Sequence, residues 1–316
     1  MSDVDLRAAA ETALTQCLDL GREETCLIVT DDKRKPIGEA LYAVAAELTD
    51  DPVIVRYPPG PQHGAEPPQP VAAALGEADA FLAPTTKSIS HTRARGAACE
   101  AGARGSTLPG ITEDVFVTGL DADYEAIAAH SAALHEQVRD AEEIRVTSPQ
   151  GTDITFEIGD REWHLDTGIV HEPGDFSNLP AGEVFVSPAS ASGTYVVDGT
   201  MRPHGLLDAD QQLTFEVDDG LVTDISDDEI REQIETAAEE AGEAAYNLAE
   251  LGIGTNVGVD ELVGSVLLDE KAAGTVHIAI GDNASIGGET EAPLHLDGIL
   301  RSPTVYVDGT EIELPE

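Results

Sequence analysis

Thr25-Cys-Leu-Ile-Val-Thr30, Pro52-Val-Ile-Val-Arg-Tyr57 and Ala80-Phe-Leu-Ala83 are three short apolar runs of strand length, and the spacing between them decides the fold. Apolar runs this short suit strands covered on both faces, and the first two are rich in β-branched residues. Helix-like stretches at 36–48 and 71–75 separate them, and an Ala- and Leu-rich helix is expected at 4–19. Strand–helix–strand alternation implies a parallel sheet with helices on both faces. A helix expected at 121–141 then carries the chain into a different pattern. From Glu143 onward strands and turns dominate: Ile144-Arg-Val-Thr147, Thr152-Asp-Ile-Thr-Phe-Glu157, Glu183-Val-Phe-Val-Ser187, Gly193-Thr-Tyr-Val-Val197 and Leu213-Thr-Phe-Glu-Val217. One long acidic helix is expected at 227–248, with Ile230, Ile234, Ala238 and Ala241 facing inward and Glu250 at its C-terminal end. The expectation is an α/β N-terminal domain with a parallel sheet, residues 1–142, followed by an α+β domain, residues 143–316.

Composition narrows the function classes. The chain carries 61 acidic residues against 17 basic ones, a formal net charge of −44, with 4% aromatics. Only Lys33, Lys35, Lys87 and Lys271 are lysines. Acidity spread over the whole chain opposes compaction by self-repulsion, and molar salt relieves it by shrinking the Debye length to about 3 Å. The composition is therefore read as halophilic, with the charge serving solvation. No basic stripe exists to neutralise phosphates, which argues against a nucleic-acid partner. No run approaches the ~20 apolar residues of a membrane span, and Met-Ser-Asp-Val-Asp lacks a signal pattern. A cytoplasmic protein is expected. Cys17, Cys26 and Cys99 are odd in number and lack metal-type spacing, which suits a reducing compartment. No Gly-x-Gly-x-x-Gly follows the first strand and no Walker motif occurs, so no nucleotide cofactor is expected.

Chemistry concentrates near the C-terminus. In Thr275-Val-His-Ile-Ala-Ile-Gly281, Val276, Ile278 and Ile280 alternate with His277 and Ala279; in Pro293-Leu-His-Leu-Asp-Gly298, Leu294 and Leu296 alternate with His295 and Asp297. Residues i and i+2 of a strand share a face, so His295 and Asp297 can grip one ion, with His277 arriving from a neighbouring strand. Two imidazoles and a carboxylate form the facial set of non-haem iron enzymes; with further carboxylates they serve zinc, cobalt or manganese hydrolases. Two glutamates are candidates for that addition. Glu183 opens a strand after the turn Asn178-Leu-Pro-Ala-Gly. Glu250, at a helix C-terminus, would need a cation to offset the macrodipole. The second domain is thus expected to be a metal-site domain.

Asn178-Leu-Pro-Ala-Gly-Glu-Val-Phe185, Glu250-Leu-Gly-Ile-Gly-Thr-Asn256, Asp269-Glu-Lys-Ala-Ala-Gly-Thr-Val-His-Ile-Ala-Ile-Gly281 and Leu294-His-Leu-Asp297 resemble the motif series of the thermophilic metallo-aminopeptidases of the aminopeptidase T type. That resemblance implies a dinuclear centre of two zinc, cobalt or manganese ions on Glu183, Glu250, His277, His295 and Asp297, with Glu183 alternatively a general base. It also implies a homodimer. The same segments resemble the 2,5-dihydroxypyridine ring-opening dioxygenases, which implies one Fe(II) on His277, His295 and Asp297. Pro84-Thr-Thr-Lys-Ser-Ile-Ser-His-Thr92 and Ala103-Arg-Gly-Ser-Thr-Leu-Pro109 look especially like that branch, implying that His91 contacts or deprotonates the aromatic substrate. The chain departs from the aminopeptidases where they carry a catalytic tyrosine, since Gly281-Asp-Asn-Ala-Ser-Ile-Gly287 contains none.

The expected function is a metal-dependent aminopeptidase releasing N-terminal residues from small peptides. The alternative is a mononuclear Fe(II) ring-cleaving dioxygenase acting on a hydroxylated pyridine-like small molecule. A non-enzymatic metal-binding module ranks third.

Overall fold

The computed structural model describes residues 3–315. Two compact units divide the chain: Met1–Ala128 with Asp166–Ala181, and Ala129–Leu165 with Gly182–Glu316. The position 142, expected as a boundary from the change in strand and helix pattern, lies inside the second unit.

The first unit runs α1 (Asp3–Thr12), β1 (Thr25–Asp31), α2 (Lys35–Leu48), β2 (Asp51–Tyr57), α3 (Gln69–Leu75), β3 (Ala80–Thr85), α4 (Arg93–Glu100), β4 (Arg104–Pro109), α5 (Glu113–Leu120) and the start of α6 (Tyr124–Val138). Its sheet has the order β2-β1-β3-β4-β8, where β8 (Phe176–Asn178) arrives from much later in the chain, and every pairing is parallel. The core of this sheet contains Leu27, Val29, Val71, Leu75, Phe81 and Ala83. Pro36 in the first turn of α2 costs no helical hydrogen bond, and Ile37, Leu41, Val44 and Ala45 are its buried stripe.

Two differences from the sequence reading have local causes. The helix expected at 4–19 is α-helical only to Thr12 and continues as a π-helix over Ala13–Cys17, which buries Ala13, Leu14 and Cys17. β4 was not anticipated because Ser106 and Thr107 make it read as polar. It lies between β3 and β8, and a Cβ on Gly105 would stand 2.2 Å from the Phe81 carbonyl oxygen.

The second unit continues with β5 (Glu143–Thr147), β6 (Asp153–Glu157), β7 (His164–Asp166), β9 (Glu183–Val186), β10 (Ser190–Val197), β11 (Thr200–Met201), β12 (Gly205–Leu206), β13 (Leu213–Asp218), β14 (Leu221–Ile225), α7 (Asp228–Ala241), β15 (Leu248–Gly254), α8 (Val266–Asp269), β16 (Val276–Gly281), β17 (His295–Leu300), β18 (Thr304–Val307) and β19 (Thr310–Ile312). Two seven-stranded sheets result, ordered β14-β13-β10-β6-β5-β18-β19 and β12-β11-β17-β16-β15-β9-β7. One apolar core joins Ile144, Ile154, Phe156, Tyr195 and Phe215 of the first sheet with Val184, Val186, Leu251, Ile253, Val276, Ile278 and Ile280 of the second. α7 adds Ile230 and Ile234 to it. Each such fully buried aliphatic side chain contributes about 1.5–3 kcal/mol, so the register of β16 is held by Val276, Ile278 and Ile280 together. A slip of one residue would drive His277 into that core.

The long acidic helix is shorter than expected. Asp227 caps α7 by accepting from the Ile230 N–H at 2.9 Å, and the helix ends at Gly242, whose φ is +62°. A 3-10 turn over Gly242–Tyr246 follows, and Leu248 begins a strand. Glu250 therefore sits mid-strand rather than at a helix end, and the dipole argument for its partner does not apply. The pairing of β15 with both β9 and β16 overrides the helical character of the preceding residues. No helix among the described residues is long and apolar enough to cross a membrane.

Candidate metal centre

The four strands β17, β16, β15 and β9 are consecutive neighbours in one sheet, and their register sets out the polar residues. Glu183 pairs with Gly254, and His277 with Gly252. Ala279 pairs with both Glu250 and Asp297, and His295 with Gly281. Paired residues point to the same face, so all five polar side chains share the face opposite the apolar core. Each stands across from Gly or Ala. A Cβ on Gly252 would lie 2.0 Å from His277 Nε2 and 2.1 Å from its Cε1, so the absent side chain is the space the imidazole occupies.

The five residues converge on two overlapping groups, Glu183–Glu250–His277 and Glu250–His295–Asp297, with one ligand-type atom from each member lying within 4.8 Å of the others. Glu250 belongs to both: its Oε1 lies 3.3 Å from His277 Nε2 and its Oε2 lies 3.2 Å from His295 Nε2. Asp297 Oδ1 is also 3.2 Å from His295 Nε2, and Glu183 Oε2 is 3.4 Å from His277 Nε2. His277 is almost wholly buried, whereas the His295 side chain is 32% exposed, so the centre opens toward solvent on the β17 side.

Hydrogen bonding selects one tautomer. His295 Nδ1 lies 2.7 Å from the Asp282 carbonyl oxygen; a carbonyl can only accept, so Nδ1 carries the proton and donates. In the neutral ring, Nε2 is then a bare lone pair facing the oxygens of Glu250 and Asp297. Lone pairs facing one another need a cation among them. A proton or a metal ion meets that need, and a ligating histidine with its other nitrogen tied to a carbonyl is the usual arrangement around metals. Among the described residues, His277 Nδ1 and Glu183 Oε2 find no hydrogen-bond partner.

Without a metal the centre retains protons. Burial opposes charging His277, but the hydrogen bond it donates to Glu250 and the nearby Glu183 raise it to about 9. His295 is likewise disfavoured by burial and raised well above its usual value by Asp297 and Glu250. Burial pushes the Glu250 carboxyl up, yet its two histidine partners outweigh this and hold it well below the carboxylate range. Asp297 is also lowered, His295 overcoming its burial. Glu183 goes the other way, since burial raises it to about 8 against the pull of Lys271 and His277.

Two contributors escaped the sequence reading. Lys271 is buried, with Nζ 2.5 Å from Glu183 Oε1 and 2.9 Å from Glu270 Oε1. A signal for it existed, because a chain with four lysines placed one of them inside Asp269-Glu-Lys. The base of the β16–β17 hairpin is the second. Asn283 donates from Nδ2 to Ser187 Oγ at 2.8 Å and accepts from the Thr290 N–H at 2.8 Å, while Asp282 Oδ2 accepts from the Ala292 N–H at 3.1 Å. His91 is not on this sheet. It belongs to the first unit, on an exposed turn immediately before Thr92, whose side chain caps α4.

Comparison with known proteins bears on what such a centre is for. A family model described as 2,5-dihydroxypyridine 5,6-dioxygenase matches residues 5–313. The chain belongs to the 2,5-dihydroxypyridine 5,6-dioxygenase family. A curated 2,5-dihydroxypyridine 5,6-dioxygenase of Pseudomonas putida KT2440 is 25% identical over 189 residues, 56% of this chain and 54% of that protein. The chain thus aligns with about half the length of that curated relative. Among solved structures, a 2,5-dihydroxypyridine dioxygenase from Pseudomonas putida KT2440 superposes with a TM-score of 0.79 at 20% identity, covering 99% of this chain and 96% of that one. Wild-type AmpT from Thermus thermophilus gives 0.68 at 20% identity, covering 98% and 97%. At that identity the two structures share the fold. The family assignment moves the dioxygenase reading ahead of the aminopeptidase reading expected from the motifs, and leaves the aminopeptidase likeness as one of architecture.

Proposed function

We propose that this chain is an Fe(II)-dependent ring-cleaving dioxygenase acting on a hydroxylated pyridine-like substrate. The family match across nearly the whole chain carries the reading. The donor set fits: two imidazoles and a carboxylate on adjacent strands are the set non-haem iron enzymes use, and the lone pair of His295 is already turned inward by Asp282. His277, His295 and Asp297 would hold the ion, with Glu250 between the two rings. Fe(II), when bound, supplies the redox chemistry that brings molecular oxygen onto a hydroxylated ring.

The chain's own residues do the rest. The Asp282 carbonyl fixes the His295 ring and keeps its proton on Nδ1. Glu250, within 3.3 Å of both Nε2 atoms, orients the two imidazoles at once. Burial of His277 and Glu250 excludes water from the inner side, and the partly exposed His295 leaves the outer side for substrate. The absence of tyrosine from 281–287 supports this reading over the aminopeptidase. In this reading His91 keeps the role expected of it, contacting or deprotonating the aromatic substrate.

The test is anaerobic loading with Fe(II), then oxygen uptake and loss of ring absorbance with 2,5-dihydroxypyridine. His295→Ala should abolish both. Hydrolysis of leucine p-nitroanilide with two zinc, cobalt or manganese ions per chain, and no oxygen uptake, would overturn the proposal.

A further inference from the structure

Val184 and Val186 turn one side of β9 toward the apolar core. Alternation along the strand then places Phe185 on the opposite face, the one that carries Glu183 and the metal donors. We propose that Phe185, backed by His164, is the platform on which a ring-shaped ligand of the centre stacks, so that aromatic ligands are preferred over aliphatic ones with the same donor atoms. The inference rests on the proposed activity for the class of ligand, and it names the residue that selects the ring.

Register ties the phenyl ring to the metal donors. Phe185 pairs with Gly252, and Gly252 pairs with His277. Gly252 has no side chain, and the His277 imidazole fills the space its Cβ would take. Along this row the side chain next to the imidazole is therefore Phe185, on a strand about 4.8 Å from that of Gly252. No other Phe, Tyr or Trp stands in β9, β15, β16 or β17. The ring is half-buried rather than sealed in. The core that uses Phe156, Tyr195 and Phe215 lies on the other side of the sheet with Val184 and Val186, so packing of that core does not account for it.

His164 braces the ring from behind. It lies on β7, the strand next to β9, with its ring centroid 5.3 Å from that of Phe185 and the planes 30° apart. Its buried Nε2 makes no hydrogen bond, so on that side the imidazole serves as a flat surface. The backbone at Gly287 closes over this nitrogen: a Cβ there would stand 3.1 Å from it. A φ of +90° calls for glycine at the position, and Arg161 donates from Nη1 to the Gly287 carbonyl at 2.9 Å. Phe185 is thereby held on its β7 side, and the side toward Gly252 and His277 is where the ring of a ligand would lie. An offset-stacked aromatic pair is worth about three- to tenfold in affinity beyond the area it buries.

The experiment compares two chelators with the same donor atoms. 1-Hydroxypyridin-2-one is a planar ring and acetohydroxamate its open-chain counterpart, and each grips a metal through a pair of hydroxamate oxygens. Full-length wild type and variants are loaded with Co(II), and each chelator is titrated by the visible absorbance of the metal. Phe185→Leu should weaken the ring compound about three- to tenfold and leave acetohydroxamate within about twofold of wild type. Phe185→Tyr, which keeps the ring, should hold both affinities within about twofold. His164→Leu, which removes the brace, should weaken the ring compound alone, by about two- to threefold. An unchanged ratio of the two affinities in a folded Phe185→Leu, whether both hold or both fall, would overturn the proposal. If Phe185→Leu fails to fold, Phe185→Met carries the same expectation and the same refutation. A shifted ratio in a protein that takes up no oxygen with 2,5-dihydroxypyridine would remove the proposed activity and leave the platform standing. Oxygen uptake with an unchanged KM in Phe185→Leu would do the reverse.

Discussion

Replacing Gly252 by alanine should separate metal binding from folding. The added Cβ would lie 2.0 Å from His277 Nε2, 2.1 Å from Cε1 and 2.8 Å from Cδ2. Ordinary carbon contacts are about 3.5–4.0 Å, so the tip of the ring must retreat by roughly 1.5 Å or the strands must part. Parting the strands is the expensive route, because overpacking a well-packed region costs about 1–3 kcal/mol. Swinging the ring aside costs less, but it carries Nε2 away from Glu250. Alanine in a strand also removes unfolded-state entropy, worth about 0.4–1 kcal/mol in favour of the fold where the backbone tolerates it. The net expectation is a metal-free melting temperature near that of wild type, with Fe(II) or Co(II) affinity down by about 10–100-fold or more. Calorimetric titration and thermal melts with and without metal read the two effects separately. Gly96 in α4 provides the control, since nothing lies within 4 Å of its would-be Cβ. Gly96→Ala should stabilise by up to about 1 kcal/mol and leave metal binding unchanged. Affinity of Gly252→Ala within threefold of wild type would refute the claim that His277 occupies the space of a missing side chain.

Metal affinity should rise with pH up to about 9, because an incoming ion must displace the proton His277 holds until then. Each displaced proton contributes about tenfold per pH unit. The metal-free protein should show the opposite trend: the folded value of His277 lies above its unfolded value, so that stabilisation is full below about 6.5 and lost as pH rises toward 9. Parallel trends in titrations and melts would refute the assignment. Arg104→Met should cost about 3 kcal/mol in urea unfolding, because the buried guanidinium meets both Glu24 oxygens at 2.6 and 2.8 Å and the carbonyls of Leu18 and Asp19 at 3.1 and 3.2 Å. A loss below about 1 kcal/mol, the worth of an exposed pair, would contradict that burial. The net charge of −44 predicts a melting temperature that climbs as KCl is raised from about 0.1 to 2 M, since screening shortens to about 3 Å near 1 M. A flat or falling curve would sink the halophilic reading.

What could be read in advance follows a physical divide. The period-2 alternation of 276–280 and 294–297 is local, and it was enough to place His277, His295 and Asp297 on one face of neighbouring strands. The apolar runs at 25–30, 52–57 and 80–83 sufficed for the parallel sheet for the same reason. Glu250 was misplaced because helical character persists to Ala241, and only the nonlocal pairing of 248–254 with β9 and β16 makes the next segment a strand. Lys271 and the Asp282 carbonyl act across the fold, with no periodicity to reveal them. Gly252 and Gly254 carried a readable hint, since glycine inside a strand marks a place where something approaches closely. The sequence did not say what approached: an imidazole at one and a turn at the other.

The base of the β16–β17 hairpin is closed twice, by Asp282 on the His295 ring and on Ala292, and by Asn283 on Ser187 and Thr290. Above that closure lie residues 284–289, outside the paired strands, with Gly288 fixed by the Asn283 side chain, which a Cβ there would meet at 2.0 Å. The hairpin thus keeps its two tasks apart: its base sets the spacing of His295 and Asp297, and its tip is the part that can vary between related chains while that spacing is kept.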